Sequence, residues 1–153
     1  MSAQTLSLKQ ALAIATRTLE SGVEHGYAPL CAVVLDCGGH VLAVLRDERA
    51  SLYRAQIATA KASGCLGMGF GGRELVTRAQ AMPQFFTALS AIFPNGLAPV
   101  AGGVLIRNAE RLVCGAIGVS GDTSDHDEIC AVDGIEFVNL IADTGAAPKP
   151  ISA

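Results

Sequence analysis

Three histidines, His25, His40 and His126, are the first places to look for chemistry, because an imidazole can ligate a metal or pass a proton near neutral pH. His25 closes an apolar-striped segment, where an imidazole can also bond the last carbonyls of a helix. His40 follows Cys37-Gly38-Gly39 and reads as a solvated turn residue. His126 stands between Asp125 and Asp127. There the acids either cap free backbone amides and favour a charged ring, or work with it on a metal ion or a proton. Capping is the simpler reading, since no third, distant partner is visible.

Two cations raise similar pairs of alternatives. Arg46-Asp47 ends a β-prone run, where a guanidinium fork could clamp a carboxylate at two points or simply join a surface ion pair with Glu48 or Arg49 nearby. Lys61 sits in an alanine-rich stretch, so it must snorkel or meet an acid, and pairing is the simpler outcome. A clamp at Arg46 with His126, Asp127 and Glu128 for proton transfer would suit a cofactor-free isomerase, hydratase or lyase acting on small carboxylates. Neither a nucleophile elbow nor an H-E-x-x-H motif is present, so nothing points to a hydrolase. Enzyme status stays open.

These residues must be positioned by the surrounding elements. Ser7 can cap a helix striped by Leu8, Ala11, Leu12, Ala15 and Leu19, which Gly26 and Pro29 stop. Leu30 to Asp36 and Val41 to Arg46 form two β-prone runs joined by glycines, hence a hairpin. Ser51 opens a second helix to about Met68, and Gly67 to Gly72 reads as a flexible connector. A short helical piece at Arg73 to Ala79 precedes a helix begun by Pro83 and running to Phe93. A second hairpin follows, Val100 to Arg107 and Arg111 to Val119. Ser124-Asp-His-Asp127 then starts a helix with apolar points from Ile129 to Ile141. Helix, hairpin, helices, hairpin, helix is an α+β order with antiparallel pairing. It suits one domain over 1–146 with a loose tail at 147–153.

Composition narrows the class. Half the residues are hydrophobic and 16% are charged, against about 25% for ordinary soluble chains. The longest uncharged run, Ala79 to Ile106, is broken by Pro83, Pro94 and Pro99, so a membrane span is excluded there and a homo-oligomer is favoured. The opening residues lack a basic and apolar leader, which predicts a cytoplasmic chain. Five cysteines without a C-x-x-C pair argue against a disulfide framework or structural zinc. A net charge of -3 with no basic cluster argues against nucleic acid.

Four stretches taken together resemble a known family. They are A-V-V-L-D-x-G-G-x-V-L-A-V-x-R-D at 32–47, A-T-A-K-A at 58–62, G-G-V at 102–104, and G-A-I-G-V-S-G-D at 115–122 followed by Asp127-Glu128. They are similar to the GlcG/HbpS haem-binding family, which includes the C-terminal domains of PduO-type proteins. The resemblance runs from about Leu6 to Ile141. It implies a profilin-like three-layer α/β/α fold with a five-stranded antiparallel sheet, and self-assembly into higher oligomers such as an octamer. It further implies haem as the small-molecule ligand, for storage, sensing or degradation. Haem needs an axial donor, an apolar slot and cations for its propionates. On this reading His25 is the candidate iron ligand, with Arg46 and Lys61 as candidate cofactor-binding cations. The family's R-x-D-G-A element stands here as Arg46-Asp47-Glu48-Arg49-Ala50, with Glu for Asp and Arg for Gly.

Overall fold

The computed structural model describes residues 5–147. The first helix, α1 (Leu8–His25), begins with a capping box: Ser7 Oγ accepts from the Gln10 amide at 3.1 Å, and Gln10 Oε1 accepts from the Ser7 amide at 3.0 Å. Its end is set by Gly26 in the left-handed region, φ 72°, a conformation glycine adopts without steric cost. The hairpin β1 (Cys31–Asp36) and β2 (Val41–Arg46) follows, then α2 (Arg54–Met68), α3 (Gly72–Ala81) and α4 (Pro83–Leu89). The second hairpin is β3 (Gly103–Arg107) and β4 (Val113–Ser120), followed by α5 (Ser124–Phe137) and β5 (Ile141–Asp143).

The five strands form one antiparallel sheet in the order β2-β1-β4-β3-β5. Residues Cys31 to Leu35 of β1 are all fully buried, because helices cover both faces of the sheet. Ala32 and Val34 join α1 and α5 residues such as Ile14, Ala15, Ala131 and Ile135 in one core. Cys31, Val33 and Leu35 join Ala58, Ala62 and Cys65 of α2 in the other. The fold is therefore the three-layer α+β arrangement expected from the sequence.

Several boundaries differ from the sequence reading, among them the strands of the second hairpin, which begin at Gly103 and Val113 and not at Val100 and Arg111. Helix α2 starts at Arg54, after a turn over Ser51 to Tyr53. The connector in the glycine-rich stretch 67–72 is shorter than read, running from Gly69 to Gly71: Gly67 lies inside α2, Gly69 caps it and Gly72 opens α3. Helix α4 stops at Leu89 and a turn carries the chain to Phe93. Helix α5 ends at Phe137, where Asn139 takes φ 60° and redirects the backbone, so Ile141 belongs to β5 instead. Of the expected loose tail, Ala147 is described, and 148–153 lie outside the described residues.

Candidate functional site

The end of α1 concentrates the unusual chemistry. The Gly26 amide donates to the Val23 carbonyl, and the Tyr27 amide returns to the Gly22 carbonyl at 2.9 Å. That turn folds Tyr27 back beside His25, with ring centroids 4.9 Å apart and planes 15° from parallel. Tyr27 also stacks on His126 from the first turn of α5, at 3.9 Å and 4°. Two histidines a hundred residues apart in sequence thus share one aromatic stack, with Tyr27 as the link.

Hydrogen bonds set both imidazoles. His25 Nδ1 lies 2.8 Å from the Ser21 carbonyl, which can only accept, so Nδ1 carries the hydrogen and Nε2 of the neutral ring keeps its lone pair. Ser21 Oγ in turn donates to Asp133 Oδ2. His126 Nδ1 donates to Asp122 Oδ1 at 2.7 Å. Asp122 also accepts from the amides of Ala28 at 2.6 Å and Thr123 at 2.7 Å. These bonds, the Ala28 amide foremost, hold the Asp122 carboxyl down at about 2. The N-cap of α5 is Thr123, whose Oγ1 accepts from the His126 amide, one residue before the cap read from the sequence.

Beside the stack lies a cleft of about 410 Å³, within the range of small-molecule sites. Its apolar wall is Leu19, Val23, Ala28, Pro29 and Leu30, and Tyr27 connects it to the two histidines. Glu20, Glu24, Asp47 and Arg49 stand around it. Asp47 holds Arg49 through two bonds of 3.0 and 2.9 Å, which keep the Asp47 carboxyl at about 2.

The other candidate residues are placed elsewhere. Lys61 Nζ donates to the Val119 carbonyl at 2.8 Å and to Asp127 Oδ2 at 3.0 Å, with the two side chains 4% and 1% exposed. Burial pushes the Asp127 carboxyl up, against the pull of the Lys61 cation. Glu128 is bound by Arg73 through bonds of 2.9 and 3.0 Å, and Arg73 also reaches Asp125. Arg46 Nη1 donates to the carbonyls of Asp47, Glu48 and Ala50, wrapping its own loop. Arg46, Asp127 and Glu128 do not line the cleft, and each is engaged by a separate partner set. His40 is solvated at the hairpin turn, with its side chain 83% exposed. Cys31, Cys65, Cys114 and Cys130 are buried, and burial pushes the Cys65 thiol up to about 12.

The family model described as "Haem degrading protein HbpS-like" matches residues 6–136. The chain belongs to the HbpS-like family. Among solved structures, one of HbpS is 25% identical with a TM-score of 0.77, covering 91% of this chain and 94% of that one. The Klebsiella pneumoniae protein ORFY is 23% identical at TM-score 0.80, covering 92% and 96%. A structure of PduOC in complex with haem is 19% identical at TM-score 0.80, covering 91% and 99%. At such identities the last two show the fold alone. No curated protein sequence matches the chain.

Within this HbpS-like chain, sequence reasoning singled out His25 and His126 separately and passed over Tyr27. The local signal was His25-Gly26-Tyr27: a glycine able to reverse the chain lets the aromatic that follows it return to the histidine. The link from Tyr27 to His126 is made by tertiary packing: α1 docks on α5, Cys31 pairs with Ser120 between β1 and β4, and the Ala28 amide bonds Asp122. Among the described residues no helix is long and apolar enough to cross a membrane. Nor do the described residues hold a group of three or more His, Cys, Asp or Glu side chains arranged for a metal ion.

Proposed function

We propose that this HbpS-like chain binds haem at the end of α1, with His25 as the iron ligand, and that it does so as a cytoplasmic homo-oligomer. The observation that carries the reading is the state of His25: Nδ1–H is committed to the Ser21 carbonyl, and Nε2 is left as a donor on an exposed side chain. A backbone carbonyl on the far nitrogen is the usual way a ligating histidine is oriented and its basicity raised. The neighbouring cleft offers apolar wall for the macrocycle, from Leu19, Val23 and Leu30. Arg49, paired with Asp47 and with its side chain 67% exposed, lines the cleft and offers a cation for a propionate there, whereas Arg46 and Lys61 do not line it. Bound haem supplies an iron centre for ligand exchange or redox chemistry. The haem-degrading character of the HbpS-like family, and the haem complex of the PduOC neighbour, support the same ligand.

The test is titration of the apo-protein with hemin. Wild type is expected to give a saturable Soret shift, and His25→Ala to bind at least about tenfold more weakly, about 1.4 kcal/mol. No saturable shift in wild type, or an unchanged titration in His25→Ala, overturns the assignment. Sedimentation of the same samples reads assembly: a species well above 15.7 kDa is expected, and a clean monomer refutes the oligomer.

A further inference from the structure

His25 is exposed at a helix end, where an imidazole ordinarily samples several rotamers and pays an ordering cost when it ligates. Its bond to the Ser21 carbonyl fixes the tautomer. The stack with Tyr27 restrains the ring plane. Tyr27 is itself held twice, by its amide on the Gly22 carbonyl and by its ring on His126. His126 is held by Asp122, and the same carboxylate grips the Ala28 amide in the cleft wall. A continuous series of contacts therefore runs from the start of α5 to His25, and it sets the cleft wall and the imidazole together.

We infer that Tyr27 is the positioning residue for the His25 ligand, braced from α5 by His126 and Asp122. This rests on His25 being the iron ligand. Tyr27 acts through its ring face, so phenylalanine can replace it and an aliphatic side chain cannot. His126 contributes by clamping Tyr27, and the iron is left to His25.

Four variants test the role: Tyr27→Leu, Tyr27→Phe, His126→Ala and His25→Ala, each checked for an unchanged far-ultraviolet spectrum. In the apo-protein, the proton resonances of the His25 ring are expected to carry a ring-current shift that Tyr27→Leu removes and Tyr27→Phe retains. With hemin, Tyr27→Leu is expected to bind about tenfold more weakly and to broaden the electron paramagnetic resonance signal of the ferric complex. Tyr27→Phe should restore both readouts, and His126→Ala should fall between the two. A wild-type signal and affinity in Tyr27→Leu, alongside lost binding in His25→Ala, overturns the positioning role and leaves the ligand assignment standing. Wild-type binding in His25→Ala removes the ligand assignment and this inference with it. Loss in Tyr27→Phe equal to that in Tyr27→Leu also overturns the role, since the ring face would then not be what matters.

Discussion

On the α2 side of the sheet, Ala58, Ala62 and Cys65 press small side chains onto Cys31, Val33, Leu35 and Ala116, and every one of these residues is fully buried. On the α1 and α5 side the core is as dry around Ile14, Val34 and Ile135, yet Thr18, Ser21 and Asp127 are buried along with it. Each polar group there has a partner: Thr18 returns to the Ile14 carbonyl, Ser21 to Asp133, and Asp127 to Lys61. The first face is held mainly by close approach, with Lys61 of α2 as its buried charge, reaching across to Asp127. The second carries a line of satisfied polar groups outward to the end where His25, Tyr27 and His126 stack. The proposed haem site thus falls at the end of the face where polar groups are carried through the packing, with the α2 layer behind the opposite face of the sheet.

If close approach governs the α2 face, the largest effect belongs to Gly118. A Cβ at that position would overlap the Ala58 carbonyl oxygen, so α2 would have to lift off β4. Gly118→Val is expected to destabilise by about 4 kcal/mol or more, read by urea unfolding. A cost below about 1 kcal/mol would mean the two layers are not pressed together as described.

The ion pair that crosses from α2 to α5 should come next. Lys61→Met leaves Asp127 buried without its cation and is expected to cost about 3 kcal/mol. Adding Asp127→Leu removes the orphaned charge, and the double variant should recover most of that loss. A double-mutant cycle in which the two changes simply add would show that the pair is not coupled.

Much of this was legible in the chain, for reasons that can be named. The Ser7 cap, the Gly26 stop and the first hairpin depend on local chemistry and fall where the sequence placed them, and the second hairpin is present with its strands starting later, at Gly103 and Val113. Lys61 was legible as a lysine that had to snorkel or meet an acid, with pairing the simpler outcome, because leaving an ammonium buried and unpaired is costly. The resemblance carried the fifth strand, which residue patterns could not: β5 has three residues, too few for an alternation, and the left-handed turn at Asn139 is needed to place it. The aromatic stack was illegible for another reason. It joins positions 27 and 126, which tertiary packing brings within 3.9 Å: α1 docks on α5, and β1 pairs with β4 next to both residues.

The smallest expected effect contrasts two carboxylates that share the start of α5. Asp122 is held at about 2 in the folded protein, below the ordinary value of 3.8, by the Ala28 and Thr123 amides and His126. A group whose folded value is depressed stabilises the fold fully above its unfolded value and loses that contribution as pH falls through the folded one. Asp122→Asn should therefore lower Tm at pH 7 by about 2–4 °C, and the gap to wild type should close between about pH 4 and pH 2. Asp127 moves in the opposite sense: burial raises its folded value, so its ionisation counts against the fold as pH climbs from 3.8, offset by Lys61. Thermal melts of wild type and Asp122→Asn across pH 2 to 7 read the difference directly. A gap that stays constant down to pH 2 would show that the Asp122 charge does not hold Ala28 and His126 in place, and the brace behind Tyr27 would lose its anchor.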